Sequence, residues 1–101
     1  MTVPVVHSDA LVVGAGSAGS IVAAMLSSDP SYTVTVVESG LGLEDPVLAA
    51  QTADALTLPI GPASRLVRRY RAELISRADN ALTIVRGATV GGSGAVNGGY
   101  F

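Results

Sequence analysis

The chain has 101 residues and no cysteine, so it is long enough for one domain and lacks disulfides, thiolate nucleophiles and cysteine-ligated metals. Hydrophobic residues make up 49% of the sequence and charged residues 14%, a composition typical of protein interiors that predicts a piece of a larger fold. The net charge is −2 and aromatic residues make up 4%, which argues against a nucleic-acid partner. With His7 as the single histidine, no metal site is expected.

Neither a transmembrane segment nor a secretory signal is expected. The longest uninterrupted apolar run, residues 21–26, is far shorter than the roughly 20 residues that a bilayer requires. The first seven residues carry no basic segment and no long apolar stretch, which are the marks of a signal peptide. The expected location is therefore cytoplasmic.

The start of the chain predicts one βαβ unit over residues 8–40. A β-branched run over 9–13 predicts a buried strand, and apolar residues at helical spacing predict a helix over 20–28. Pro30 ends that helix because proline cannot continue it. A second β-branched run predicts a strand over 33–37, so strand, glycine turn, helix and strand follow one another as in a βαβ unit.

A variable connection is expected over residues 41–64. Within it, Asp45 is a capping residue and Pro46 suits the first turn of a helix, so a helix is predicted over 47–56. Residues 58–62 have the proline and glycine content of a loop.

A β-hairpin is predicted over residues 65–86. Charged and apolar residues alternate over 66–75, and a β-branched run covers 81–85. Turn residues at 78–80 lie between these two segments, which is the pattern of two antiparallel strands. The hairpin leads into a glycine-rich loop over residues 86–101.

Three glycines follow the first predicted strand in the spacing GxGxxG, and they open the predicted helix. In a dinucleotide site, the first (Gly14) makes a tight turn, the second (Gly16) lets the backbone approach a pyrophosphate, and the third (Gly19) allows close helix packing. Glu38 ends the next strand, where a carboxylate accepts hydrogen bonds from a ribose diol. A purely structural turn would leave Glu38 unexplained. The pattern predicts dinucleotide binding; it disfavours NADP, whose 2′-phosphate the carboxylate repels, and leaves NAD and FAD open.

A second glycine-rich segment begins at Arg86. Its glycines permit close approach to a flat or charged ligand, while Ser93 and Asn97 add hydrogen-bonding side chains and Arg86 adds a fixed cation. A flexible linker is the alternative, but linkers rarely interleave apolar residues such as Val90 and Val96 at regular intervals. The segment therefore predicts a ligand-binding loop.

Three segments together resemble the N-terminal FAD-binding part of the glucose-methanol-choline (GMC) oxidoreductases: residues 9–19, 34–40 and 86–98. In that family, the GxGxxG turn and a ribose-binding glutamate are followed by a motif of the form R-G-x-x-x-G-G-S-S/T-x-x-N-G. This chain carries R-G-A-T-V-G-G-S-G-A-V-N-G over 86–98. The resemblance spans nearly the whole chain, although residues 41–64 contribute little. It departs from the family at Gly94, where a serine or threonine is usual.

The resemblance implies an α/β fold in which a Rossmann-like βαβ unit and a β-hairpin form the incomplete N-terminal part of a larger FAD/NAD(P)-binding domain. It also implies FAD as the cofactor and a set of residues that line its pyrophosphate, ribose, ribityl chain and flavin ring. In chain order these residues are Gly14, Gly16, Ser17, Ala18, Gly19, Glu38, Arg86, Gly91, Gly92, Ser93, Asn97, Gly98 and Tyr100. No histidine lies near the second motif, so a histidine-linked flavin is not implied.

By the same resemblance, the whole protein would oxidise CH–OH donors and pass a hydride to flavin N5. The family's catalytic base is a histidine near the end of a much longer chain, so no catalytic residue is assigned here. The chain alone is expected to be inactive and to need the remaining C-terminal portion of the same protein as its partner. That portion would cover Val90, Val96, Tyr100 and Phe101, so the chain without it is expected to expose an apolar patch and to associate.

The alanine-, valine- and glycine-rich composition and the final VNGGYF also resemble mycofactocin-associated members of the family, dehydrogenases that reoxidise a redox peptide cofactor. The substrate is accordingly expected to be an alcohol or a mycofactocin-type molecule. The alternative from another class is a noncatalytic or NAD-binding Rossmann module, which would have no use for the second glycine-rich segment.

Overall fold

The computed structural model describes residues 2–54, 56–73 and 81–98. Its first half is the predicted βαβ unit: strand β1 (Ala10–Val13), helix α1 (Ser17–Leu26) and strand β2 (Val34–Val37). The two strands pair in parallel, in the register that places Val13 opposite Val37. The α/β class with a Rossmann-like βαβ unit is confirmed.

Hydrogen bonds at the amino ends of β1 and β2 hold their register. The Asp9 carboxylate accepts hydrogen bonds of 2.7 Å from both the N–H and the hydroxyl of Thr33. The Thr33 carbonyl in turn accepts the N–H of Asp9 at 2.9 Å. A slip of one residue would turn every side chain to the other face of the sheet. The contact therefore sets the carboxyl ends of the two strands side by side.

Helix α1 differs from its predicted bounds, because it begins at Ser17 rather than at residue 20 and ends at Leu26 rather than at residue 28. The glycine motif itself forms the first turn, with Gly16 as an extended N-cap. At the other end, the hydroxyls of Ser27 and Ser28 donate to backbone carbonyls one turn back. Such local bonds compete with the helix, so the helix stops before Pro30.

Helix α2 (Pro46–Thr52) begins at the predicted cap, where the Asp45 carboxylate accepts the N–H of Val47 at 2.9 Å. The helix ends earlier than the predicted residue 56. Asp54 accepts hydrogen bonds from the N–H of Leu56 and the hydroxyl of Thr57, which closes a local turn instead of another helical turn.

The predicted hairpin is present as strands β3 (Val67–Glu73) and β4 (Ala81–Gly87), which pair antiparallel from Val67↔Gly87 to Glu73↔Ala81. Strand β4 runs two residues beyond the predicted 81–85. The predicted turn at 78–80 lies outside the described residues. A short 3₁₀ helix, Gly92–Ala95, follows within the glycine-rich loop and was not predicted.

The small core lies between the connection, the hairpin and the second glycine motif, and it consists of Leu48, Leu66, Val67 and Val96 with Leu41 and Val85 against it. The prediction that Val96 would be exposed is wrong: it is 5% exposed because it packs under α2 and β3 in this cluster. Val90 is half-buried, and Tyr100 and Phe101 lie outside the described residues. The exposed apolar side chains lie elsewhere and include Val13 on β1 and Met25 on α1. Within the described residues, neither helix has the length and apolar character of a membrane-spanning segment.

Candidate dinucleotide-binding site

The first glycine motif makes the predicted tight turn at the carboxyl end of β1. Gly14 has a φ of +94°, a conformation that side chains rarely adopt, and its N–H donates to the Val37 carbonyl at 2.8 Å. Gly19 passes so close to this turn that a Cβ there would lie 2.0 Å from the Gly14 carbonyl oxygen. Both glycines therefore have the geometric roles that their spacing predicted.

Helix α1 presents its amino end directly after this turn. Its N-cap, Gly16, has no side chain to cap the first N–H groups, while its carbonyl accepts the N–H of Ser20 at 2.9 Å. The first residues of the helix, Ser17 and Ala18, are exposed. The first N–H groups of a helix have no partner within it and carry a partial positive charge, so this end suits an anion such as a phosphate.

The Glu38 carboxylate lies at the carboxyl end of β2 and holds two backbone segments. One oxygen accepts the N–H of Ala15 at 2.8 Å, and the other accepts the N–H of Gly40 at 2.8 Å. The Ala15 N–H is the largest cause that lowers the pKa of Glu38 below its ordinary value, and Arg68 adds a smaller electrostatic contribution. Glu38 is therefore ionised at neutral pH. A carboxylate has about four lone-pair sites, so Glu38 can still accept a hydrogen bond from a ligand hydroxyl.

An open crevice of about 290 Å³ lies where the two parallel strands end. Its lining consists of Val13, Gly14, Val37, Glu38 and Ser39. In open α/β sheets, ligands bind in the crevice outside the carboxyl ends of the strands. The predicted ribose-binding carboxylate thus lines a crevice of the expected kind.

The second glycine motif packs directly against the first. Gly91 (φ +91°) and Gly92 (φ +58°) both adopt left-handed conformations, and the Gly91 N–H donates to the Ala15 carbonyl at 2.7 Å. A Cβ on Gly92 would lie 2.9 Å from the Cα of Gly16. The structure therefore brings together Gly16 and Gly92, which are 76 positions apart in the sequence.

The other predicted binding residues of the second motif differ in their contacts and exposure. The Ser93 hydroxyl accepts the N–H of Gly87 at 3.0 Å, so it braces its own loop. Asn97 and Gly98 are exposed. Arg86 is exposed on β4, where one of its nitrogens donates to the Val85 carbonyl at 3.0 Å. The predicted residue Tyr100 lies outside the described residues.

A loop that was not predicted to contribute to the site connects Glu38 to the second motif. A Cβ on Gly40 would lie 2.0 Å from the Ala88 carbonyl, and the Leu41 N–H donates to that carbonyl at 3.2 Å. The Leu41 carbonyl accepts the Thr89 hydroxyl at 2.9 Å and the Val90 N–H at 3.0 Å. Thr89 is fully buried. Its β-branched side chain within a glycine-rich segment is a sequence signal for this contact, one that it shares with Val90.

The turn, the exposed helix start and the carboxylate at the end of β2 define a dinucleotide-binding α/β protein. No family model matches the chain. An uncharacterized GMC-type oxidoreductase of Rhodococcus erythropolis is 51% identical over 96 residues, which cover 94% of this chain and 19% of that protein. An oxygen-dependent choline dehydrogenase of Rhizobium rhizogenes is 36% identical over 93 residues, covering 91% of this chain and 16% of that protein.

A solved structure agrees with these relatives. The crystal structure of pyridoxine 4-oxidase from Mesorbium loti matches with a TM-score of 0.68 and 31% identity, over 94% of this chain and 18% of that one. The chain belongs to the glucose-methanol-choline oxidoreductase family, whose members are FAD-dependent. It spans less than a fifth of the length of the relatives it matches.

Proposed function

We propose that this chain is a partial FAD-binding domain that holds the dinucleotide portion of FAD. The observation that carries the proposal is the direct packing of Gly92 on Gly16, beside a crevice lined by the ionised Glu38. The proposed cofactor-binding residues remain the predicted ones: Gly14, Gly16, Ser17, Ala18, Gly19, Glu38, Arg86, Gly91, Gly92, Ser93, Asn97, Gly98 and Tyr100. The boundaries of the βαβ unit, connection, hairpin and flavin loop are proposed as predicted.

The donors and acceptors of the described residues fit FAD. The amino end of α1 offers N–H groups to a pyrophosphate, and the side-chain-free Gly16 leaves room for a close approach. The crevice beside Glu38 is open, and the carboxylate can still accept a hydrogen bond from a ribose hydroxyl. This arrangement supports the proposal that they bind the adenosine and diphosphate of a dinucleotide.

The second motif favours FAD over NAD. A nicotinamide dinucleotide would use the turn, the helix start and Glu38, but it would leave the left-handed Gly91 and Gly92 without a ligand role. The hydrogen bond from the Gly91 N–H to the Ala15 carbonyl, which joins that segment to the turn, supports a shared role. A noncatalytic or NAD-binding module remains the second candidate, and the experiment below separates the two.

For the whole protein, we propose oxidation of a CH–OH donor, with an alcohol or a mycofactocin-type molecule as substrate. FAD supplies the hydride acceptor when it is bound. The described residues bind and orient the dinucleotide, and none of them is assigned as the catalytic base, since His7 is an exposed residue ahead of β1. The base and the substrate pocket are proposed to come from the remaining C-terminal portion of the polypeptide.

The test is native mass spectrometry of the chain with equimolar FAD and NAD. We expect one FAD adduct and no NAD adduct, and we expect Glu38→Ala to lose the adduct while Glu44→Gln keeps it, because Glu44 is exposed and away from the crevice. An NAD adduct would favour the second candidate. Loss of the FAD colour on addition of alcohols to the polypeptide with its C-terminal portion would test the proposed substrate class.

A further inference from the structure

The loop that follows Glu38 is joined to the β3–β4 hairpin by backbone hydrogen bonds. The Leu41 N–H donates to the Ala88 carbonyl at 3.2 Å, and the Ala88 N–H donates to the Leu66 carbonyl at 2.6 Å. Leu66 is fully buried and comes directly before β3. The start of β3 is therefore fixed beside the loop that follows Glu38.

Arg68, the second residue of β3, reaches from the hairpin to the end of β2. Val67 before it is buried in the core, so the alternation of the strand turns Arg68 to the outer face, where it is exposed. One of its guanidinium nitrogens donates to the Ser39 carbonyl at 3.5 Å. Ser39 also lines the crevice beside Glu38. The guanidinium thus contacts the residue that directly follows the proposed ribose-binding carboxylate.

Arg68 also acts on Glu38 through its charge. The pKa of Glu38 is lowered first of all by the Ala15 N–H, and to a smaller extent by the positive charge of Arg68. The other groups that face this carboxylate and lower its pKa are the N–H groups of its own loop, those of Gly40 and Ser39. Arg68 is therefore the side-chain charge through which the hairpin stabilises the ionised Glu38.

Two other arginines of the hairpin are placed differently. Arg86 lies directly opposite Arg68 on β4, where like charges repel, so it offers Arg68 no partner. Arg71 lies on the other face of β3, and its guanidinium is 3.9 Å from the Glu73 carboxylate. Arg71 is thus a cation of the same strand that does not line the crevice.

We propose that Arg68 is a positioning residue that acts through Glu38: its guanidinium holds the Ser39 end of β2, and thereby the carboxylate, at the crevice that binds the ribose. The inference rests on the proposed function, since the ribose is that of the bound FAD. It makes the hairpin part of the dinucleotide site through one side chain, in addition to the glycine motif that follows the hairpin.

Removal of the Arg68 charge should weaken FAD binding and change its dependence on pH. In Arg68→Gln, the pKa of Glu38 rises toward its ordinary value, so the carboxylate takes up its proton at a higher pH. A protonated Glu38 accepts hydrogen bonds less strongly than the carboxylate does, and FAD affinity falls with it. Arg68→Lys keeps the positive charge, so this fall in affinity should occur at the same pH as in the wild type.

The experiment measures FAD affinity by quenching of flavin fluorescence between about pH 7 and about pH 3. At neutral pH, we expect Arg68→Gln to bind FAD about twofold to fivefold more weakly than the wild type, the range of one exposed charge interaction. The midpoint of the fall in affinity should move to a higher pH in Arg68→Gln and stay at the wild-type value in Arg68→Lys. Circular dichroism at each pH checks that the compared variants are folded.

Arg71→Gln is the matched control, because it removes the same charge from the same strand. Its FAD affinity and its midpoint should equal those of the wild type. Equal losses in Arg68→Gln and Arg71→Gln would mean that the net charge of the chain alone attracts FAD. An unchanged midpoint in Arg68→Gln would mean that Arg68 does not act through Glu38.

Either of those results would overturn the inference while leaving the proposed function intact. A wild-type chain that binds no FAD would overturn the proposed function, and the role of Arg68 with it. If Arg68→Gln did not fold, Arg68→Lys would decide, since a midpoint that differs from the wild-type value would contradict the charge effect.

Discussion

The Glu38 carboxylate accepts the Ala15 N–H at 2.8 Å, which makes the proposed ribose-binding residue also a brace for the turn that would hold the diphosphate. The carbonyl of Ala15 also forms a hydrogen bond: it accepts the Gly91 N–H at 2.7 Å. Ala15 is buried between these two contacts. The position of the second motif therefore depends on the segment that Glu38 holds.

Removal of the Glu38 charge should destabilise the chain before any ligand is present. In Glu38→Gln, the amide oxygen can accept one of the two backbone N–H groups, while the amide nitrogen faces the other as a second donor. A half-buried N–H left unpaired costs about 1–3 kcal/mol, so the free energy of unfolding should fall by about that amount. Urea unfolding followed by circular dichroism measures it.

Glu44→Gln is the matched control, since Glu44 is exposed and its carboxylate is not held by Ala15 or Gly40. Its effect should stay within about 0.5 kcal/mol. Equal losses in Glu38→Gln and Glu44→Gln would show that the hydrogen bonds of Glu38 do not stabilise the turn.

The same hydrogen bonds predict a dependence of stability on pH. The Ala15 N–H, above all, holds the pKa of Glu38 below its ordinary value in the folded chain. The unfolded chain therefore takes up a proton first as the pH falls. The stabilisation by Glu38 is complete above the ordinary glutamate pKa, and it is lost as the pH falls through the lowered one.

Unfolding curves between about pH 7 and about pH 3 check this window. Asp9, Asp29 and Asp54 also have lowered pKa values, so the wild type alone would not isolate Glu38. The informative quantity is the difference between wild type and Glu38→Gln, which should shrink on acidification. A difference that stays constant over the whole range would contradict the assignment.

The features of the site that the sequence predicted are those set by residue type. A left-handed backbone conformation favours glycine, and Gly14 adopts this conformation. A close approach of the helix to the turn leaves no room for a Cβ, and Gly19 has none. The carboxylate at the end of β2 followed in the same way from Glu38. By contrast, Ala15 and Gly40 donate backbone N–H groups to Glu38. Because nearly every residue type has a backbone N–H, the residue identities at these positions do not predict the contacts.

Contacts between distant segments were the other missed feature. Val96 is buried because the second motif folds back onto Leu48 and Leu66, which no local pattern within that motif reports. The packing of Gly92 on Gly16 also depends on how the hairpin returns the chain to α1. The predicted ends of the helices were wrong where hydroxyl and carboxylate side chains, such as those of Ser28 and Asp54, form hydrogen bonds with nearby backbone groups.

Gly92→Ala should separate the two glycine motifs. Its Cβ would lie 2.9 Å from the Cα of Gly16, so a backbone must move, and its φ of +58° adds strain of about 1–2 kcal/mol for a residue with a side chain. The free energy of unfolding should fall by more than that strain alone. Gly61→Ala, without a positive φ or a neighbour within 4 Å, should change it by less than about 0.5 kcal/mol.

Hydrogen exchange locates the effect of Gly92→Ala. The Gly91 N–H, which donates to Ala15, should lose protection, while the amides of β1 and β2 at the far side of the turn keep theirs. Uniform loss of protection across the chain would mean that the substitution unfolds it globally and that the motif contact has no separate stability.

Asp9→Ala should weaken the parallel sheet without touching the site, because Asp9 and Thr33 pair at the amino ends of the strands and Glu38 lies at the carboxyl end. The variant loses the two 2.7 Å bonds from Thr33, so we expect a lower melting temperature and faster amide exchange in β1 and β2. FAD affinity of the folded fraction should stay at the wild-type value. The carboxylate of the exposed Asp29 accepts hydrogen bonds from Ser31 within its own turn, so Asp29→Ala is a control that leaves the sheet intact. A loss of FAD affinity in Asp9→Ala with unchanged strand exchange would mean that the two ends of the sheet are coupled by something other than strand register.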